Sequence, residues 1–452
     1  MPDLQELRGA AREVFDAALD AADTRHAVLD AVEFDGASLR VGGARLAPRP
    51  GASQIFSVAL GKAAASMASA LDERLGAALA GGVLSAPASR VALSERWRVY
   101  KGGHPLPNED SFEAARAAFE MLRGVDDSST VIVFLVSGGG SAMLELPRDP
   151  RLTLEDLREA NHALVSCGAS IAEVNAVRRA LSAVKGGGLA ACAPRGAQAT
   201  LVVSDVAAGR AYDVASGPTI EPPHDTPDVK EIVGRYRLAS SLPPAVLRSL
   251  EESRPRPASQ TPSDAHRSFE VLLDNDMACE AAVDAARARG FAVEFARDIV
   301  EQPVGEGAAA LVSRLGELYV RAGAGDGRVV CLISGGEFSC PVRGGGTGGR
   351  NAETALRVAF EFERMASGRG TGRVPRHVVA LCAGTDGIDG NSPAAGALAD
   401  ATTVTRAHAR GLDARRFLDE SDAFTLFDSL GDALMLGPTG TNVRDVRILL
   451  AG

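Results

Sequence analysis

The apolar run Val329-Val330-Cys331-Leu332-Ile333 passes directly into SGGEFSCPVRGGGTGGRN, residues Ser334 to Asn351. No polar residue alternates within the run, so it reads as a strand buried on both faces, the condition of a parallel sheet covered by helices. Helical spacing follows from Ala352, with Leu356, Ala359 and Phe360 on one side. Between strand and helix stand seven glycines: Gly335, Gly336, Gly344, Gly345, Gly346, Gly348 and Gly349. Without a Cβ, backbone N–H groups can close around an anion. A helix start near Arg350 adds the positive end of its dipole. Arg343 and Arg350 bring planar forks suited to phosphate oxygens. The stretch therefore reads as a phosphate cradle, loosely held without ligand because glycine has no side chain to pack. It is not a P-loop, which needs Lys-Ser or Lys-Thr where Arg350-Asn351 stands. Nor does its glycine spacing fit the dinucleotide fingerprint, and no acidic residue follows about twenty positions on.

The same grammar recurs along the chain. Ile55 to Leu60 is a strand running into Gly61-Lys62 and a helix from Ala63 to Leu75. Trp97 to Lys101 precedes GGHPLPNEDS and a helix ending near Leu122. Thr130 to Val136 opens into Ser137, Gly138, Gly139, Gly140 and Ser141. Helices at 153–167 and 170–183 lead to Lys185, and Ala199 to Val203 leads to Ser204-Asp205. This alternation predicts an α/β fold with a doubly wound, Rossmann-like parallel sheet. From Glu251 the sequence changes to EESRPRPASQTPSDAHRS, a proline-broken linker. The boundaries expected are residues 1–250 for an N-terminal domain, 251–268 for a linker, and 269–452 for a smaller α/β domain, with a cleft between the two.

Composition narrows the classes. The formal charge is −10 and no Lys or Arg block stands out, which argues against nucleic-acid and anionic-membrane surfaces. No apolar run reaches membrane-spanning length, and the amphipathic start MPDLQELRGAAREVF has no apolar signal core. The six cysteines form no C-x-x-C pair and fit reduced, buried thiols of a cytoplasmic enzyme. Nothing fixes the oligomeric state, and a homodimer stays open.

Five glycine- or serine-rich segments each follow a strand, the edge at which α/β proteins bind ligands. They offer a substrate- and phosphate-binding set rich in backbone amides: Ser137 to Ser141, then Ser334, Gly335, Gly336, Glu337, Gly345, Gly346, Gly348 and Gly349, with Asn351 beside them. Lys62 and Arg350 are the cations, while Asp205, Asp386 and Asp389 are hard oxygen donors for Mg²⁺. No Ser-His-Asp spacing or H-E-x-x-H occurs. The set fits phosphoryl transfer, which relies on positioning and charge neutralisation. Simpler readings stand beside it: Asp386 and Asp389 as turn formers, His104 as a turn brace, and Glu337 as a cap on the local nest.

GGHPLPNEDS, SGGGSAML, NAVRRALSAVKGGGLA, SDV…ASGPT, SGGE…VRGGGTGGRN, AGTDGIDG and GPTGTN occur in this order. Together they resemble the MOFRL-type glycerate 2-kinases, often labelled hydroxypyruvate reductases, from about Phe56 to Asp445. The resemblance implies two α/β domains with a cleft, ATP with Mg²⁺, and phosphorylation of D-glycerate at its 2-hydroxyl. The family's lysine after the first strand falls on Lys62, and its glycine-cluster arginine on Arg350. The chain departs from the family pattern at Ala208-Gly209-Arg210, at Ala180, at Ala352 and at Pro393. Two rivals remain at this level: a nicotinamide-dependent hydroxypyruvate reductase, and a non-catalytic binder of nucleotides or phosphosugars.

Overall fold

The computed structural model describes residues 2–36, 38–46, 54–89, 91–221, 227–253, 267–323, 328–366 and 375–452. The chain divides into two compact units, one of residues 24–272 and the other of residues 1–23 with 273–452.

The first unit is built on a six-stranded sheet. Its order is Trp97–Lys101, Leu79–Ala86, Gln54–Leu60, Thr130–Ser137, Ala197–Val203, Arg267–Leu273. Numbered along the chain this is 3-2-1-4-5-6, the Rossmann order. Neighbours are parallel from Trp97–Lys101 through Ala197–Val203. The order reverses between Gln54–Leu60 and Thr130–Ser137, and the loops leaving those two strands therefore diverge over opposite faces. That is the point at which such sheets take their ligands. Val58, Leu60, Ile132, Phe134 and Val136 recur two apart and pack with Ala114, Ala115, Ala118, Phe119 and Leu122 of helix Glu109–Gly124. A small antiparallel sheet, Val32–Phe34, Leu39–Val41 and Ala44–Leu46, belongs to the same unit.

The second unit carries a mixed sheet in the order Ala292–Phe295, Val330–Ser334, Asp445–Ala451, Val378–Gly384, Gly396–Asp400. The last strand of the chain enters its middle, antiparallel to both neighbours. Every residue of that strand is buried, Arg447 included.

The units do not follow the sequence boundaries. Helix Leu4–Ala21 buries Leu7, Ala10, Ala11, Val14, Phe15 and Ala18 within the second unit. Arg8 fixes it there through ion pairs to Asp400 and Asp432. Strand Arg267–Leu273, expected to open the C-terminal domain, instead closes the first sheet. Of the expected linker, residues 254–266 lie outside the described residues, while 251–252 end a helix and 267–268 begin a strand.

Candidate functional site

In the first unit, three strand ends interlock at the switch point. Gly61 has φ +117, and a Cβ there would run into the Ser137 hydroxyl and carbonyl. The Lys62 N–H donates to the Gly138 carbonyl at 2.8 Å, and the Ala63 N–H to Ser137 Oγ at 3.0 Å. A Cβ on Gly138 would collide with the Asp205 carboxylate. One on Gly139, at φ +79, would press on the His104 ring and the Lys62 stem. Lys62, His104 and Asp205 therefore lie against two glycines, and a larger residue at either place would push them apart. His104 comes from the loop after Trp97–Lys101 and its ring lies against Gly139.

A second layer supports this loop. Ser141 Oγ and Ser216 Oγ are 3.0 Å apart, and Ser216 Oγ donates to Asn175 Oδ1 at 3.0 Å. Ala215 and Ser216 both hold left-handed backbone angles, φ 51 and φ 61. Such angles cost non-glycine residues of order 1–3 kcal/mol each and gather at functional sites. The Gly186 and Gly187 N–H groups hold the segment by donating to the carbonyls of Ser216 and Gly217, at 3.2 and 2.8 Å. Asp213 pairs with both Arg179 and Arg210, while Glu145 takes buried Lys185 and the Ser182 hydroxyl. A cavity of about 250 Å³ opens here, lined among others by His104, Gly139, Asn161, Arg178, Asp205 and Ser216. Asn161, Asn175, Arg178 and Ser216 were not singled out from sequence. Asn175, Arg178 and Ser216 lie within NAVRRALSAVK and ASGPT, motifs that read there only as part of a resemblance, while Asn161 comes from the preceding helix, Leu154–Ser166.

The second unit treats its glycines differently. Ser334 is fully buried, donating to the Ile299 carbonyl at 2.5 Å and accepting from Arg447 at 2.8 Å. Arg447 also donates to the carbonyls of Gly335 and Gly336, at 2.7 and 2.8 Å, and stacks on the Phe338 ring at 3.6 Å. Gly335 is packed on Asn275 and Gly336 on Val300. The Gly346 N–H donates to Glu420 O at 3.1 Å, Thr347 N–H to Asp422 at 2.8 Å, and Gly348 N–H to Asn391 at 2.8 Å. Two of the glycine amides expected to face phosphate, Gly346 and Gly348, are thus engaged inside the unit, as is Thr347 between them. These hydrogen bonds hold the loop without any ligand, where the sequence led to the expectation of a loosely held one.

Arg350 sits in the same web. Its guanidinium bonds Asp445 and Glu337, each at 2.6 Å. Burial works against its charge, but Asp445 and Glu337 outweigh that and hold its pKa above the ordinary value. Glu337 is therefore a partner of Arg350, and Asp445 is a partner the sequence did not announce. Asn351, 2% exposed, donates its side-chain N–H to Asp445 at 3.0 Å. Asp389, 2% exposed, accepts the N–H groups of Asn351 and Ala352 at 3.0 and 2.8 Å, capping helix Arg350–Ala366. Burial pushes its pKa up to about 7 against those hydrogen bonds. Both of its oxygens accept hydrogen bonds within the fold, an arrangement that suits the simpler structural reading of this residue. Asp386 lies in the next turn and accepts the Ile388 N–H at 3.3 Å.

Comparison with known proteins covers nearly all of this architecture. Residues 10–251 match a family described as a domain of unknown function (DUF4147), and residues 330–445 match the MOFRL family. A glycerate 2-kinase of Pyrococcus horikoshii is 31% identical over 96% of this chain and 94% of its own. A protein of Agrobacterium vitis, provisionally named a hydroxypyruvate reductase, is 34% identical over 98% of this chain and 94% of its own. The crystal structure of a glycerate kinase from Thermotoga maritima superposes with a TM-score of 0.80 at 29% identity, covering 99% of this chain and 100% of that one.

Proposed function

The chain belongs to the glycerate kinase family that joins these two domain types, and on that premise we propose that it phosphorylates D-glycerate at the 2-hydroxyl, with ATP as donor. One observation carries the reading to particular residues. At the switch point of the first sheet, Lys62, the loop Ser137 to Ser141 and Asp205 come together over glycines that admit no larger side chain. In phosphoryl transfer the bond from the 2-oxygen to phosphorus forms as the bond to ADP breaks, and negative charge spreads over the equatorial oxygens. An ammonium and fixed backbone N–H groups at that point stabilise the charge without having to reorganise. Lys62 is assigned that role. Arg350 is held by two carboxylates, Asp445 and Glu337, within the second unit.

The residues fit Mg²⁺ arriving with the nucleotide. Magnesium takes one or two carboxylates beside substrate phosphates, not a full protein cage, and Asp205 supplies one such oxygen at the loop. Among the described residues no three His, Cys, Asp or Glu side chains gather into a metal site. When bound, the ion would neutralise phosphate charge; Asp386 is the alternative donor, in the other unit. Among the described residues no helix is long and apolar enough to cross a membrane.

The test is ADP release in a coupled assay over a panel of small hydroxy acids, with product passed to enolase, which consumes 2-phosphoglycerate and leaves the 3-isomer. ADP release with D-glycerate and an enolase-competent product is expected. Oxidation of NADH or NADPH by hydroxypyruvate, without ADP release, would overturn the reading in favour of the reductase.

A further inference from the structure

The cations around the cavity of the first unit are unequal. Arg179 and Arg210 are both held by Asp213, and Lys185 by Glu145. Arg178, the neighbour of Arg179 on helix Ile171–Leu181, lines the cavity itself. Its Nε donates to Asn161 Oδ1 at 2.8 Å. The amide of Asn161 is in turn fixed by donating to the Leu157 carbonyl at 3.0 Å. Among the described residues no acceptor meets the two terminal nitrogens of Arg178, and no carboxylate pairs with it.

We infer that Arg178 is the receptor for the carboxylate of the acceptor substrate, which makes the site selective for small 2-hydroxy monocarboxylates over neutral polyols. The inference rests on the kinase reading for the identity of the acid and names the group that recognises it. A guanidinium held by Nε presents its remaining N–H groups as a planar fork, and a carboxylate matches that fork with two parallel hydrogen bonds. Asn161 fixes the plane in advance, so little freedom is lost on binding. Burial lowers the pKa of Arg178, and the charge of Glu145 offsets this only in part. A bound carboxylate supplies the compensation. The size agrees: about 250 Å³ lies below the roughly 300–1,000 Å³ usual for drug-sized ligands and suits an acid of three or four carbons. With its carboxylate on Arg178, the acid fills a cavity that Gly139, Ser141 and Asp205 also line, and the 2-oxygen can face the loop beside Lys62.

The experiment is titration calorimetry and steady-state kinetics on wild type, Arg178→Lys and Arg178→Met, with D-glycerate and its neutral amide as paired ligands. Wild type is expected to bind D-glycerate about 100-fold more tightly than the amide, the usual size of a lost charge-assisted, bidentate contact. Arg178→Met should erase that preference and raise KM for glycerate by a similar factor. Its KM for ATP and its melting temperature should stay close to wild type, and Arg178→Lys should recover part of the preference. Wild type that accepts amide and acid equally overturns the inference, whether or not the variants fold. So does a folded Arg178→Met enzyme with unchanged KM for glycerate, and so does wild type that binds no hydroxy acid. If wild type binds glycerate through Arg178 yet releases no ADP, the kinase reading fails and the carboxylate receptor stands.

Discussion

After strand Thr130–Ser137 the chain continues with three glycines and a serine; after Val330–Ser334 it continues with two glycines and, further on, five more. On paper the second stretch is the better phosphate site, richer in glycine and flanked by two arginines. In space the short loop carries Lys62, Asp205 and His104 and borders a cavity. The long one is folded into its own unit. Its amides donate to Glu420, Asp422 and Asn391, and Arg350 lies between Asp445 and Glu337. The lesson is about what glycine can be for. It lets backbone approach an anion, and it equally lets backbone approach other backbone. The residues that tell these apart are the acceptors near the amides and the acids near the cations, and these come from distant parts of the chain.

Metal removal should have the largest effect. EDTA is expected to abolish turnover, with Mg²⁺ or Mn²⁺ restoring it, because nucleotide phosphates need a divalent counter-charge. The comparison sharpens if Asp205→Asn raises the Mg²⁺ needed for half-maximal rate about tenfold or more while Asp386→Asn does not. The reverse order would move the metal to the second unit.

Next in size is Lys62→Ala, for which a loss of about 10²–10³ in kcat is expected, the usual value of one preorganised electrostatic donor. Its melting temperature should barely move, since the lysine buries few apolar atoms. A variant turning over within a few-fold of wild type would take Lys62 out of the mechanism.

Arg447→Ala is the opposite case. It takes the guanidinium donor from the carbonyls of Gly335 and Gly336 inside the sheet, leaves the Ser334 hydroxyl with its bond to the Ile299 carbonyl alone, and removes a ring contact. Each buried carbonyl left without its donor costs roughly 1–3 kcal/mol, so stability should fall by about 3 kcal/mol or more, measured by urea unfolding. Turnover per folded molecule, measured well below the transition, should persist. Lost turnover at full stability would mean that the second unit's arginine web takes part in chemistry.

The sequence was most legible where a strand is apolar throughout. Thr130–Ser137 and Val330–Ser334 carry no polar alternation and are buried along their whole length. Leu79–Ala86 was missed because Gly81 and Gly82 break its pattern. They are there because the Phe56 and Trp97 rings lie against them. The strands of 32–46 are three residues each, too short to show a period. Helix Leu4–Ala21 was legible as a helix, yet an apolar stripe does not say which sheet it covers. At the candidate site, Lys62 and Asp205 were legible because each stands just after a strand. Arg178 was not, because it sits mid-helix, and it stands out only once the cavity it lines and the pairing of Arg179 and Arg210 with Asp213 are seen.

The smallest expected effect is the sharpest test of the contrast between the loops. Gly345 is the one glycine of the 344–349 cluster at which an added Cβ meets nothing within 4 Å, and it is not among the glycines with positive φ. Gly345→Ala should therefore fold normally and shift stability by no more than about 0.5 kcal/mol, as open surface sites do. If the long loop were an open phosphate cradle, a methyl group at its exposed tip would stand where phosphate oxygens approach, and KM for ATP would rise. If its glycines serve to pack backbone on backbone, KM for ATP and kcat should match wild type. Gly138→Ala is the partner measurement in the short loop, where the methyl group would displace the Asp205 carboxylate. There kcat should fall severalfold or more in a folded protein. A raised KM for ATP in Gly345→Ala beside an unaffected Gly138→Ala would reverse the two loops and return the phosphates to the glycine-rich stretch.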